Sequence, residues 1–185
     1  AINAITYGGV AMTLVAQSGA STDRASIYRL DKPAVGIANV SITFATTNGA
    51  LNTAGACNLF GVDLSSPVRG TTPTSQVFSG TSATQIMPSA DEDVVISTLL
   101  SNNWQGVISD VLANEIYNLG NPSGNGGFTV AKRGGPSTII NYTAIFGSGT
   151  YLQGAVASFR GRQTADKRPQ LDCFALDSVL NTVGL

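Results

Sequence analysis

The sequence predicts an all-β fold, a two-sheet antiparallel sandwich of jelly-roll type followed by a C-terminal arm, and three observations carry that expectation. Apolar and polar residues alternate strictly over residues 38–44, where Ala38, Val40, Ile42 and Phe44 interleave with Asn39, Ser41 and Thr43. That is the pattern of a strand with one buried and one wet face. Turn chemistry recurs at short intervals, at Gly8-Gly9, Gly19, residues 33–36, Asn48-Gly49, Ser66-Pro67, Gly80 and residues 147–149, which is the punctuation an all-β sandwich requires. Residues 93–100 are apolar on both parities (Val94, Val95, Ile96, Leu99 and Leu100) and predict a central strand covered on both sides.

Taken in order, Val10, Met12 and Leu14 alternate as a first strand. Residues 55–68 join a short apolar strand to a turn whose Gly61, Asp63, Ser65, Ser66 and Pro67 each suit a bend. Over residues 107–119 the apolar set also fits helical spacing; a strand to about Ala113, then a turn or short helix, is expected. Residues 120–135 contain six glycines and a proline and are expected to form a long loop. Residues 139–146 and 153–160 then form two strands of a hairpin-like pair. Val40, Ile42, Phe44, Leu59, Val94, Ile96 and Phe159 are the expected core.

On this reading residues 1–161 form the sandwich and residues 162–185 the arm. Leu171, Phe174, Ala175, Val179, Thr182 and Val183 fit one face of a helix. Leu171, Phe174, Leu176, Val179 and Leu180 are too apolar for water, so the arm is expected to lie on its own domain or on a neighbour.

Composition bounds the function. The chain has 185 residues, enough for one domain with a real core. Only 11% of them are charged and 7% aromatic, which gives a surface of small polar groups suited to an extracellular or virion protein. A net charge of −1 argues against a nucleic-acid partner, since displacing counterions from a duplex needs a basic face. No apolar run approaches the ~20 residues of a bilayer span. The first residues lack the charged and apolar regions of a signal peptide, so Ala1 is expected to follow either a removed initiator methionine or a cleavage site.

The chain has no histidine, which excludes Ser-His-Asp and Cys-His nucleophile systems and histidine metal sites. Nothing in the spacing of its 11 acidic residues selects the facing carboxylate pair of a glycosidase. The protein is therefore expected to be non-enzymatic and to need no cofactor or metal. Asp91, Glu92 and Asp93 offer oxygen ligands without a calcium-loop spacing around them and read as a solvated turn. Asp63 reads as an Asx-type cap bonding the backbone two residues on. Cys57 and Cys173 share no metal-ligand spacing; Cys57, inside an apolar strand pattern, is expected as a buried free thiol in preference to a bridge, which requires Cα atoms within ~7 Å. Trp104, in an Asn- and Gln-rich context, is the candidate ligand contact for a glycan, against its reading as a residue capping the sandwich. Arg160, Arg162, Lys167 and Arg168, with Lys132 and Arg133 upstream, make a basic group that reads either as a solvated tail or as a contact to an acidic neighbouring surface.

Three segments in this order, "TYGGVAMTLV" at residues 6–15, "IYRLDKPAVGIANVSITF" at residues 27–44 and "AGACNLFGVDLSSPV" at residues 54–68, resemble a β-sandwich module of secreted bacterial proteins and phage virion proteins. The resemblance runs to about Gly161 and is thin over residues 104–138. It implies scaffolding or binding, and assembly as a homo-oligomer, with a trimer favoured. The expected function is a structural protein of a virus particle, a tailed-phage capsid decoration, cement or spike subunit. Its partners would be the major capsid protein or another virion protein, with Arg162, Lys167, Arg168, Leu171, Phe174, Val179 and Leu180 as subunit contacts. The alternative is a secreted carbohydrate-binding or adhesion module that meets a host glycan.

Overall fold

The computed structural model describes residues 2–18, 24–45, 53–69, 74–79, 82–101, 107–108, 113–120, 126–136, 138–144, 151–162 and 170–175. These residues form strands and connections, with no helix. In chain order the strands are β1 (Ile2–Tyr7), β2 (Val10–Ala11), β3 (Thr13–Gln17), β4 (Ser26–Arg29), β5 (Val40–Phe44), β6 (Gly55–Phe60), β7 (Thr74–Ser79) and β8 (Ser82–Met87). They continue as β9 (Val94–Ser101), β10 (Val107–Ile108), β11 (Asn114–Gly120), β12 (Gly126–Arg133), β13 (Thr138–Ala144), β14 (Tyr151–Phe159) and β15 (Gln170–Ala175). Every pairing is antiparallel, so the fold is all-β and sandwich-like.

The centre is a five-stranded sheet in the order β11-β12-β9-β14-β7. As its double-parity apolar pattern predicts, β9 lies in the middle, paired with β12 on one side and β14 on the other. One face carries Ile96, Ala131, Ala155, Ala157 and Phe159, and against it pack Ala16, Ala25 and Ile27 of the β3-β4 hairpin. Leu59 and Cys57 of β6 border the same cluster. The other face carries Val95, Val130, Val156, Leu99 and Phe128, all buried. It meets β8 through buried Gln85, whose side chain accepts a hydrogen bond from the Ser97 hydroxyl.

Several polar side chains inside this core, Ser18, Thr98, Thr129 and Gln153 among them, are hydrogen-bonded across strands. The Ser18 hydroxyl donates to Gln153 Oε1 at 2.7 Å and receives the Ala25 N–H at 2.8 Å, which ties the β3-β4 hairpin to β14. On β12 and β9, Thr129 donates to Thr98 Oγ1 at 2.9 Å.

The structure corrects four expectations about elements and their pairing. Residues 120–135 are not a long loop, because Gly126–Arg133 is β12, buried at Gly126 through Ala131. Residues 114–120 form β11 rather than a turn or short helix. The strands β13 and β14 do not make a hairpin pair: β13 pairs with β8 and β10, while β14 lies between β9 and β7. Residues 170–175 are strand, not helix, and pair with β6. The core also draws on other residues than expected, Ala16, Ala25 and Ile27 among them. Ile96 and Phe159 are buried, but Val40, Ile42, Phe44, Leu59 and Val94 are half-buried.

Candidate interaction surface

The half-burial of Val40, Ile42 and Phe44 follows from where β5 lies. It belongs to a separate three-stranded sheet, β2-β1-β5, whose main contacts are among its own strands. The β1-β2 turn is the two-residue Gly8-Gly9, with φ of 56° and 80°. Positive φ at both positions is what a type I′ hairpin needs, and glycine supplies it without a steric penalty. Register then pairs Tyr7 with Val10 on one side and with Val40 on the other.

This hairpin anchors the connection between β4 and β5. The Tyr7 hydroxyl donates to the Gly36 carbonyl at 3.2 Å, and the Gly8 N–H donates to the Asn39 carbonyl at 3.0 Å. A Cβ at Gly8 would come within 3.2 Å of Ala38 Cβ, so the approach is close. The anchored loop holds Val35 and Ile37 on either side of Gly36, and both side chains are fully exposed. Val10, 56% exposed, sits on the edge strand of the same sheet. Val35 and Ile37 are thus two β-branched side chains held in water by a hydrogen-bonded loop, the feature of this sheet that a docking partner could cover. Sequence reading took residues 33–36 as turn chemistry and overlooked Val35 and Ile37; the signal available was two aliphatic residues flanking a glycine outside any strand alternation.

A second feature lies where residues 61–69 fold back along the end of β14. Asp63 Oδ1 accepts the Ser65 N–H at 2.9 Å and the Ser65 hydroxyl at 2.6 Å, the Asx-type cap expected from sequence. These bonds hold the Asp63 carboxyl below the usual carboxylate range. The flanks of the turn bond residues 158–162 through Asp63 N–H to Arg160 O, Arg162 N–H to Gly61 O, Arg160 N–H to Pro67 O and Arg69 N–H to Ser158 O.

That path delivers Arg69 to Asp93. The guanidinium binds both carboxylate oxygens, through Nε to Oδ2 and through Nη2 to Oδ1 at 2.9 Å. Asp93 Oδ2 also accepts the Ala90 N–H at 2.9 Å and the Ser158 hydroxyl at 2.9 Å. Burial pushes the Asp93 pKa up, but the Arg69, Ala90 and Ser158 bonds outweigh it and hold the group below its ordinary value. The solvated-turn reading of Asp91, Glu92 and Asp93 is thereby corrected for Asp93, which faces inward. Glu92 faces Arg133 at 3.6 Å, and the Arg133 Nε–H donates to the Asp91 carbonyl at 3.1 Å. The Asp93 and Glu92 carboxylates therefore meet different arginines, and among the described residues no group of three or more His, Cys, Asp or Glu could hold a metal ion.

The remaining sequence candidates are placed only in part. Trp104, Lys167, Arg168, Leu176, Val179 and Leu180 lie outside the described residues. Arg162 is exposed, directly after the bridge between Val62 and Gly161. Leu171 and Phe174 fall on β15 in register with Leu59 and Ala56. Lys132 and Arg133 are engaged within the chain, Lys132 Nζ donating to the Ile139 carbonyl at 2.9 Å. No helix among the described residues is long and apolar enough to cross a membrane. Comparison with protein-family models, with curated proteins and with solved structures returns no match.

Proposed function

We propose that the chain is a non-enzymatic structural subunit of a virus particle, a tailed-phage capsid decoration, cement or spike protein of jelly-roll type. It acts through protein-protein contacts as a homo-oligomer, with a trimer favoured, on the major capsid protein or another virion protein. The observation that supports this reading is the anchored apolar loop. Val35 and Ile37 stand fully in water, and covering each recovers about 1.5–3 kcal/mol. Because Tyr7 and Gly8 already hold the loop by hydrogen bonds, little further ordering entropy is lost on docking.

The test is co-sedimentation of the purified protein with tailed-phage capsids stripped of their accessory proteins, run beside a host glycan array. Saturable capsid binding that is lost in the double variant Val35→Asp, Ile37→Asp supports the proposal. Glycan binding with no capsid binding overturns it in favour of a secreted carbohydrate-binding module.

A further inference from the structure

The antiparallel register of β15 on β6 sets Cys173 directly opposite Cys57, although the two lie far apart in sequence. Directly opposed positions in an antiparallel ladder have Cα atoms about 4.5 or 5.5 Å apart, inside the ~4.4–6.8 Å window of a disulfide. Opposed positions also share one face of the ladder. On β6 that face is the inner one, because Cys57 and Leu59 border the buried cluster while Asn58 and Phe60 are exposed. Cys57 is half-buried, so the position is sheltered without being sealed from a small oxidant.

We propose that Cys57 and Cys173 form an intrachain, cross-strand disulfide that clamps the C-terminal strand to the body of the fold. The oxidant is a small disulfide of the oxidised glutathione class. One cysteine thiolate attacks that disulfide, forming a mixed disulfide and releasing one thiolate. The second cysteine thiolate then attacks the protein sulfur of the mixed disulfide, closing the Cys57–Cys173 bond and releasing the other thiolate. The two protein thiols are oxidised, the external disulfide is reduced to two thiols, and the two protons pass to them. The clamp closes a loop on the order of a hundred residues, the regime in which a bridge restricts the unfolded chain most. It also fastens a strand whose one sheet partner among the described residues is β6, which suits a protein working outside a reducing cytosol.

The full chain, purified reduced, is incubated with oxidised glutathione, alkylated and digested without reductant for mass spectrometry. The expected product is one peptide pair joining Cys57 to Cys173, lighter by two hydrogens than the sum of the reduced peptides. The oxidised chain is expected to melt roughly 5–15 °C above the reduced one, and this difference should vanish in the Cys57→Ser, Cys173→Ser double variant. Separately alkylated cysteines, stable glutathione adducts, Cys57 joined to Cys57 of a second copy, or equal melting temperatures would each overturn the proposal.

Discussion

Arg69 grips the Asp93 carboxylate by two nitrogens, and the two residues are unequally buried: the Asp93 side chain has 0% exposure, the Arg69 side chain 28%. The pair joins the residue 61–69 turn to the start of β9, and the asymmetry sets what each substitution does. Arg69→Ala leaves a buried carboxylate with only the Ala90 and Ser158 hydrogen bonds and should cost up to about 3–5 kcal/mol at neutral pH. Asp93→Ala leaves a guanidinium that can turn outward and should cost less. Urea unfolding of both variants measures the order; equal losses would mean the pair contributes little beyond packing.

The same pair predicts an acid response. The folded-state pKa of Asp93 is depressed, so its contribution is present above the unfolded aspartate value of about 3.9 and is lost as pH falls through the folded value. Wild-type stability should therefore drop below about pH 4. In Arg69→Ala the depressing partner is gone and burial favours the protonated acid, so the gap between variant and wild type should narrow from pH 7 to pH 3. Asp63 titrates in both proteins and cancels in the difference. Urea midpoints at several pH values check this, and a gap that stays constant would contradict it.

Close backbone approach around this turn gives a third prediction. A Cβ at Gly161 would meet the backbone carbonyl of Glu92, and one at Gly134 would meet the backbone carbonyl of Ala90. Neither backbone atom can swing aside as a flexible side chain does. Gly161→Ala should destabilise by about 1–3 kcal/mol, read as a lowered midpoint in thermal or urea unfolding. An unchanged midpoint would mean that the turn is free to shift.

Burial separates two isoleucines that alternation alone treats alike. Ile96 is 6% exposed on the central strand, and Ile96→Ala should cost about 2–5 kcal/mol. Ile42 is half-buried on the three-stranded sheet, so Ile42→Ala should cost clearly less in the isolated protein. Equal costs would place β5 in the main core.

These contrasts show how far the sequence could be read. The strand β9 was legible because Val94, Val95, Ile96, Leu99 and Leu100 put apolar groups on both faces, and only a central strand does that. The strand β12 was hidden by its glycines, yet Gly127 is there for packing: a Cβ would run into the Thr53 hydroxyl. Glycine in a strand can mark close approach as well as a loop. The Asx-type cap at Asp63 is local chemistry and was readable. The partner of Asp93 was not, since Arg69 lies 24 positions away and no local spacing connects them. Register between distant strands was likewise unreadable, which is why the meeting of Cys57 with Cys173 and the pairing of residues 170–175 with β6 emerge only from topology.

On the proposed function, the chain assembles through the apolar loop anchored by Tyr7 and Gly8. Light scattering on the size-fractionated protein over a range of concentrations tests it most directly, comparing wild type with the Val35→Asp, Ile37→Asp double variant. Both side chains are fully exposed in the single chain, so the variant should fold, with the stability of the isolated chain changed by no more than about 0.5 kcal/mol. The expected result is a wild-type homo-oligomer and a folded, monomeric variant that lacks only the stability assembly adds. A wild type that stays monomeric at every concentration, or a variant that assembles as well as wild type, would contradict it.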